Sequence, residues 1–250
     1  MDQSGVLLAV VGASGGVGAS TFSAAVALRA ASLGARVALV DTDPVGGGLD
    51  VTLAVEDSPG ARWRTFAQAS GRLDPQGIAS SLPEVAGVRL LSHDREDLGL
   101  VRPSARSILS VTEALVRGHD LVVADVMRQP CVEREVLLDC ADEVLVIASG
   151  RVRSVAGAIT VVADLRTSHR QQPEVIVARG SERSLGGSRI ADTVKVPLAG
   201  EWVRDQQLAN EMENGNLACL MDSKRGGLGY AAEVVAFLAL QRNSSRRALA

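Results

Sequence analysis

The sequence predicts an α/β fold, a doubly wound, mostly parallel sheet with helices on both faces, in a single domain spanning 1–250. Three observations predict it. Short apolar runs alternate with helix-length segments almost from end to end, the order produced by repeated strand–helix–strand crossovers. Hydrophobic residues make up 46% of the chain but aromatics only 2%. The core must therefore be Val, Leu, Ile and Ala, the mix favoured by parallel strands buried on both faces. A glycine-dense turn, Gly12 to Gly18, joins the first apolar run to the first helical segment.

Taken in order, Val6 to Val11 reads as a buried strand and Ser20 to Leu33 as a helix stopped by Gly34. Arg36 to Asp41 is the second strand, and it opens into the acidic, glycine-rich stretch Asp41 to Asp50. Ala61 to Ser70, with Trp63 and Phe66 three apart, suggests a short amphipathic helix, and Gly71 to Pro83 a polar surface excursion. A third strand at Val88 to Ser92 precedes a helix from Pro103 to Arg117. Leu121 to Asp125 is a strand closed by an acid, followed by a short helix at Glu133 to Cys140 and a buried strand at Glu143 to Ala148. A long helix, Ser154 to Arg170, takes Ser154 as its N-cap. Then come a strand at Val175 to Ala178, a flexible turn at Ser184 to Ser188 and a last short strand at Val194 to Leu198. Asp205 to Glu213 reads as a helix capped by Gly215, and Tyr230 to Gln241 as a closing helix whose tail frays from about residue 243.

The formal charge of −3 and pI near 5.7 give no drive toward nucleic acid or an anionic membrane, so no direct nucleic-acid binding is expected. Lys195 and Lys224 are the only lysines among 26 basic residues. Cys131, Cys140 and Cys219 form no C-x-x-C pair and have no adjacent histidine, which suits reduced cysteines in a cytoplasmic protein. His93, His119 and His169 lie in no telling context. No apolar run approaches the ~18 residues of a membrane span. Met1 to Ser4 lacks the basic region of a signal peptide, and the chain starts almost directly on its first strand.

The glycine turn has the order strand, loop, helix that suits a phosphate. Backbone N–H groups can approach and point at an anion there, and the helix N-terminus adds partial positive charge. Side chains at Gly15, Gly16 or Gly18 would obstruct that approach. Three chemistries share this outline. The phosphate-loop pattern G-x-x-x-x-G-K-[ST] is met at Gly18 and Ser20, but Ala13 holds the first glycine position and Ala19 the lysine. The spacing G-x-x-x-G-x-G, at Gly12, Gly16 and Gly18, is that of NAD(P)-binding short-chain dehydrogenases, with Asp41 placed as a ribose-binding acid. That family needs a Tyr-x-x-x-Lys pair, and the only tyrosine, Tyr230, has Val234 four residues on. The nucleophile elbow G-x-S-x-G is met by Gly12, Ser14 and Gly16, yet it falls on the first strand rather than after several.

Two acidic sites favour the phosphate loop. Asp125 ends an apolar strand in the manner of an acid that holds Mg²⁺ through water, and Asp41-Thr42-Asp43-Pro44 ends another. With Ser20, Asp41 and Asp125 form a candidate metal set, and Asp43 is the candidate for orienting water, with Asp41 beside it.

Ser14-Gly15-Gly16-Val17-Gly18-Ala19-Ser20-Thr21 resembles the deviant Walker A motif K-G-G-x-G-K-[ST]-T of the MinD/ParA superfamily. Asp41 to Pro44 resembles that family's switch I turn, Val122 to Asp125 its Walker B strand, and Ala141 to Ile147 the strand that follows. The resemblance spans nearly the whole chain. Gly18 to Thr21, Asp41 to Asp50 and the arginine after Walker B are most similar to the TadZ/CpaE-like branch, which includes a septum-site-determining type. The resemblance implies a P-loop fold, an ATP or ADP site with Mg²⁺ and a homodimer. It also implies recruitment of Tad/Flp pilus or cell-division proteins at a pole, septum or inner membrane face, with membrane contact at most indirect. Many members carry an N-terminal receiver-like domain that is not in this chain. By the same resemblance Gly15, Gly16, Val17, Gly18, Ala19, Ser20 and Thr21 line the nucleotide.

The departures from the pattern concern charge. Ser14 stands where the family's lysine reaches across the dimer, and Ala19 where the loop lysine neutralises the β- and γ-phosphates. A charge-assisted contact contributes about 1.5–3 kcal/mol. Losing one in the transition state slows the reaction about 10- to 150-fold per lysine. The expectation is weak nucleotide binding with little or no hydrolysis. The alternative is a slow genuine ATPase in which arginine substitutes, with Arg128 after Asp125, and Arg151 and Arg153 after the next strand, as candidates.

Overall fold

The computed structural model of the chain describes residues 5–94, 102–168, 173–179, 184–203, 205, 210 and 227–249. Among the described residues eight strands form one sheet: β1 (Val6–Gly12), β2 (Val37–Asp41), β3 (Glu84–Val85), β4 (Val88–Leu91), β5 (Leu121–Val126), β6 (Glu143–Ser149), β7 (Glu174–Arg179) and β8 (Leu198–Val203). Their order across the sheet is β3-β4-β2-β5-β1-β6-β7-β8, and every pairing is parallel except the β3–β4 hairpin at one edge. The predicted doubly wound α/β fold is the fold observed.

Helices cover both faces, as continuous Val/Leu/Ile/Ala strands require. On one face lie α1 (Ala19–Ser32), the single turn α2 (Leu49–Thr52) and a long closing helix, α8 (Leu228–Leu249). On the other lie α3 (Pro75–Ser81), α4 (Ala105–Gly118), α5 (Val132–Cys140), α6 (Val152–Ser168) and α7 (Gly187–Val194). The side chains of β1 show the division: Val6, Leu8 and Val10 pack toward the α1 side, and Leu7, Ala9 and Val11 toward the α4–α6 side. The chain leaves β1 toward the first face and β5 toward the second. The carboxyl ends of these two neighbouring strands therefore open a crevice, the place where such sheets bind ligands.

Several boundaries differ from the sequence reading. The polar stretch 71–83 contains α3, started by Asp74, whose carboxylate accepts from Gln76 N and Gly77 N, with Pro75 in the first turn. The amphipathic helix expected from Ala61 to Ser70 is reduced to one 3₁₀ turn, Trp63–Phe66. Ser154 is not the N-cap of α6 but lies inside its first turn, where its hydroxyl accepts from Ser149 N at 2.9 Å. Part of the turn expected at Ser184 to Ser188 is the start of α7. Val194 closes α7 instead of opening a strand: Ile190, Ala191 and Val194 share its buried face, and Lys195 terminates it at φ +60°. The last strand begins only at Leu198, after Pro197.

The expected helix at Asp205 to Glu213 falls mostly outside the described residues. α8 does not fray at 243 but continues to Leu249, with Asn243 buried and its Nδ2 donating to Asp120 O at 3.0 Å. Ala231, Ala232, Val235, Ala236 and Ala239 pack α8 into the core, while Tyr230, Phe237 and Leu238 stay exposed. Among the described residues no helix is long and apolar enough to cross a membrane.

Candidate functional site

β1, which lies between β5 and β6, delivers the glycine turn to the crevice at the carboxyl ends of β1 and β5. Ala13, fully buried, donates its N–H to Ile147 O of β6 at 2.8 Å. Its carbonyl lies against α6 so closely that a Cβ built on Gly157 would come within 2.2 Å of it. α6 can carry only glycine there without moving the turn. Gly16 and Gly18 adopt φ of +69° and +91°, the left-handed region that favours glycine. Space beside Gly15, Gly16 and Gly18 is open to 4 Å, so the turn presents bare backbone outward. Gly18 caps α1 with no side-chain hydrogen bond to the first turn, as an anion-receptive helix start requires.

The two acidic strand ends meet beside this turn. β2 and β5 run in register with Asp41 opposite Asp125, so both side chains leave the sheet on the same face, the α1 face. Ser20 hydrogen-bonds the Asp125 carboxylate, and Ser23 donates to its Oδ1 at 3.5 Å. Burial pushes Asp125 up to about 6, against the pull of those two hydroxyls. Asp41, only 3% exposed, is pushed up to about 7, first by burial and then by the charge of Asp125. Two carboxylates side by side, Asp41 buried and Asp125 partly buried, hold a proton near neutrality unless a cation replaces it. Two carboxylates and a hydroxyl are hard oxygen donors of the kind Mg²⁺ takes, so the residues fit that ion. Among the described residues no group of three or more His, Cys, Asp or Glu could hold a metal ion.

Asp41 and Asp43 also shape the loop that follows. Asp41 accepts from Asp43 N at 2.9 Å and Leu49 N at 2.8 Å, and Asp43 accepts from Val45 N and Gly46 N, each at 3.0 Å. Asp43 is therefore held by its own turn, with its charge felt at both Asp41 and Asp125. A cavity of about 280 Å³ beside this loop is lined by Asp41, Asp43, Asp50, Asp94 and His93 among others. Its carboxylates repel a phosphate.

Of the candidate arginines, Arg128 reaches the turn: its Nη1 donates to Ala13 O at 3.3 Å. Arg151 and Arg153 are exposed beside the carboxyl end of β6, next to β1 in the sheet. Three contributors were not singled out from sequence. Thr42 donates from Oγ1 to Asp125 O at 2.9 Å and accepts from Met127 N at 3.0 Å, tying the two acidic strand ends together. Ser23 lies one turn after Ser20 on α1, a spacing that could have flagged it. Gly157 had no sequence signal, because its partner is a backbone atom far away in the chain.

Residues 8–217 match the model of the CobQ/CobB/MinD/ParA nucleotide binding domain. An uncharacterized protein of Mycobacterium tuberculosis (strain H37Rv) is 34% identical over 213 residues, covering 85% of this chain. The chain spans only 59% of that relative's length. Among solved structures, the fold is similar to a ParA family ATPase from Chlorobium tepidum TLS, with TM-score 0.80 and 17% identity over 94% of this chain and 98% of that one. It is also similar to the septum site-determining protein MinD complexed with Mg-ADP from Pyrococcus horikoshii OT3, with TM-score 0.74 and 17% identity over 92% and 93%.

Proposed function

The chain belongs to the CobQ/CobB/MinD/ParA nucleotide-binding family, and from that premise we propose that it is a nucleotide-responsive localisation factor with little or no ATPase activity. The observation that carries this reading is the glycine turn itself. It keeps the open backbone cradle and the Ser20–Asp125 link, yet Ser14 and Ala19 leave it without either lysine. Its residues 15–21 would hold the phosphates of ATP or ADP. Ser20, Asp41 and Asp125 would hold Mg²⁺, which supplies charge neutralisation to the phosphates. With neither lysine present, affinity is weaker than the two lysines would give and hydrolysis is slow.

The protein then works as a homodimer that recruits others, in the manner of the TadZ/CpaE-like branch, to a Tad/Flp pilus assembly site or a septum. The 1–250 segment acts as one nucleotide-binding unit in the cytoplasm. The Arg128 contact favours one second reading, a slow genuine ATPase with arginine in the lysine's role. Titration with Mg-ATP and with NADH, followed by a phosphate-release assay, tests these readings. Mg-ATP uptake without phosphate release supports the localisation factor. Release that is lost in Asp43→Ala supports the slow ATPase. Binding of NADH in preference to Mg-ATP overturns both.

A further inference from the structure

We infer that Arg128 is the phosphate-facing cation of this site, doing from the end of β5 what a lysine at position 19 would do from the loop. The inference rests on the nucleotide-binding reading above. Three observations support it. Position 128 follows β5 by two residues, and β5 is hydrogen-bonded to β1 with Val126 opposite Val11. The backbone thus brings Arg128 to the first residues of the turn. Its guanidinium is already there, donating from Nη1 to Ala13 O. That bond uses one of the five N–H donors of a guanidinium, and Arg128 is otherwise exposed at the mouth of the crevice.

Charge balance points the same way. Asp41, Asp43 and Asp125 gather on the metal side of the turn, and the turn itself carries no basic residue from Gly12 to Thr21. A triphosphate brings several further negative charges. Mg²⁺ offsets only part of that sum, and Arg128 is the arginine seen to hydrogen-bond the turn. A planar guanidinium also binds two phosphate oxygens at once, which an ammonium does not. Arg128 therefore favours the β- and γ-phosphates over the nucleoside.

Calorimetric titration of the full chain with Mg-ATP, Mg-ADP and adenosine tests this. In Arg128→Ala, Mg-ATP affinity should fall about 10- to 150-fold, the range of one charge-assisted contact, with adenosine unchanged within about twofold. Adding Ala19→Lys to Arg128→Ala should restore Mg-ATP affinity, because the charge returns by the other route. If Arg128→Ala melts below the working temperature, Arg128→Gln, which keeps a hydrogen-bond donor but no charge, carries the same test. Equal Mg-ATP affinity in wild type and variant overturns the inference and leaves the nucleotide site standing. Parallel loss for all three ligands with no rescue by Ala19→Lys also overturns it, since that is the signature of a brace on the turn. Failure of the wild type to bind Mg-ATP at all overturns the nucleotide reading and the inference together.

Discussion

Asp120 and Asp125 stand five residues apart at opposite ends of one strand, and their surroundings are opposite in kind. At the amino end, Asp120 takes Arg36 N at 2.9 Å and the Arg36 guanidinium at 2.9 Å, and this contact raises the arginine's pKa. The same edge is closed by Leu7 N donating to Asp142 at 2.8 Å and by Asn243 donating to Asp120 O. Each of these charges has an opposite charge or an N–H donor. At the carboxyl end, Asp125 faces Asp41 and two serine hydroxyls, and both carboxyls are pushed toward neutrality. One edge uses its charges to hold the sheet shut. The other gathers like charges at a cost in stability, a cost usually met where a ligand will be bound.

The largest effect is expected where the carboxyl edge is built most tightly. Gly157→Ala places a Cβ against the Ala13 carbonyl, so α6 or the turn must shift. It should cost about 3 kcal/mol in urea unfolding, at the upper end for overpacking. It should also weaken Mg-ATP binding beyond the fall in stability, because the displaced group is the turn itself. A stable variant with unchanged binding would remove the turn from the site.

The next effect has opposite signs at the two ends of β5. The folded-state pKa of Asp125, about 6, lies above the ordinary value of 3.8, so the native state holds a proton that the unfolded chain has lost. Ionising the group on raising the pH therefore costs stability, beginning near pH 4 and complete above about 6. Asp125→Asn escapes that cost. It should be more stable than wild type by about 2 kcal/mol at pH 8, with the gain shrinking to nothing near pH 4. Mg-ATP should stabilise the wild type and leave Asp125→Asn unmoved. Asp120→Asn, by contrast, should lose about 1 kcal/mol at pH 8 by breaking a half-exposed pair. Thermal melts across pH read both. A destabilising Asp125→Asn at pH 8 would erase the contrast between the two edges.

Much of this was legible in the chain because parallel sheets write themselves in continuous apolar runs. β1, β2, β5 and β6 stand where Val6 to Val11, Arg36 to Asp41, Leu121 to Asp125 and Glu143 to Ala148 predict them. The acids that end two of those strands meet at the turn, because register carries them there. Misreadings came where a local signal had two meanings. Val194-x-Val196-Pro197-Leu198 alternates like a strand, but Val194 belongs to the buried face of α7. The stretch 71–83 reads as a polar excursion because its turn residues are shared with helix starts, and Asp74-Pro75 starts α3. Contacts made to backbone atoms, such as Gly157 on Ala13 and Arg128 on the same carbonyl, leave no pattern in one sequence. Distance along the chain hides them.

The smallest effect sharpens the amino edge, at the end of α8 expected to fray. Arg242 pairs with Glu143 at 2.7 Å but is half exposed, so Arg242→Ala should cost only about 0.5 kcal/mol, and nothing in 1 M NaCl. Asn243 is buried and its bond to Asp120 O is unscreened, so Asn243→Ala should cost about 1 kcal/mol at any salt concentration. Urea titrations at two ionic strengths distinguish the two residues. If both losses vanish in salt, the end of α8 is held by surface charge alone. If only the first does, the helix is part of the closed edge, and its exposed stripe of Tyr230, Phe237 and Leu238 is presented from a fixed support.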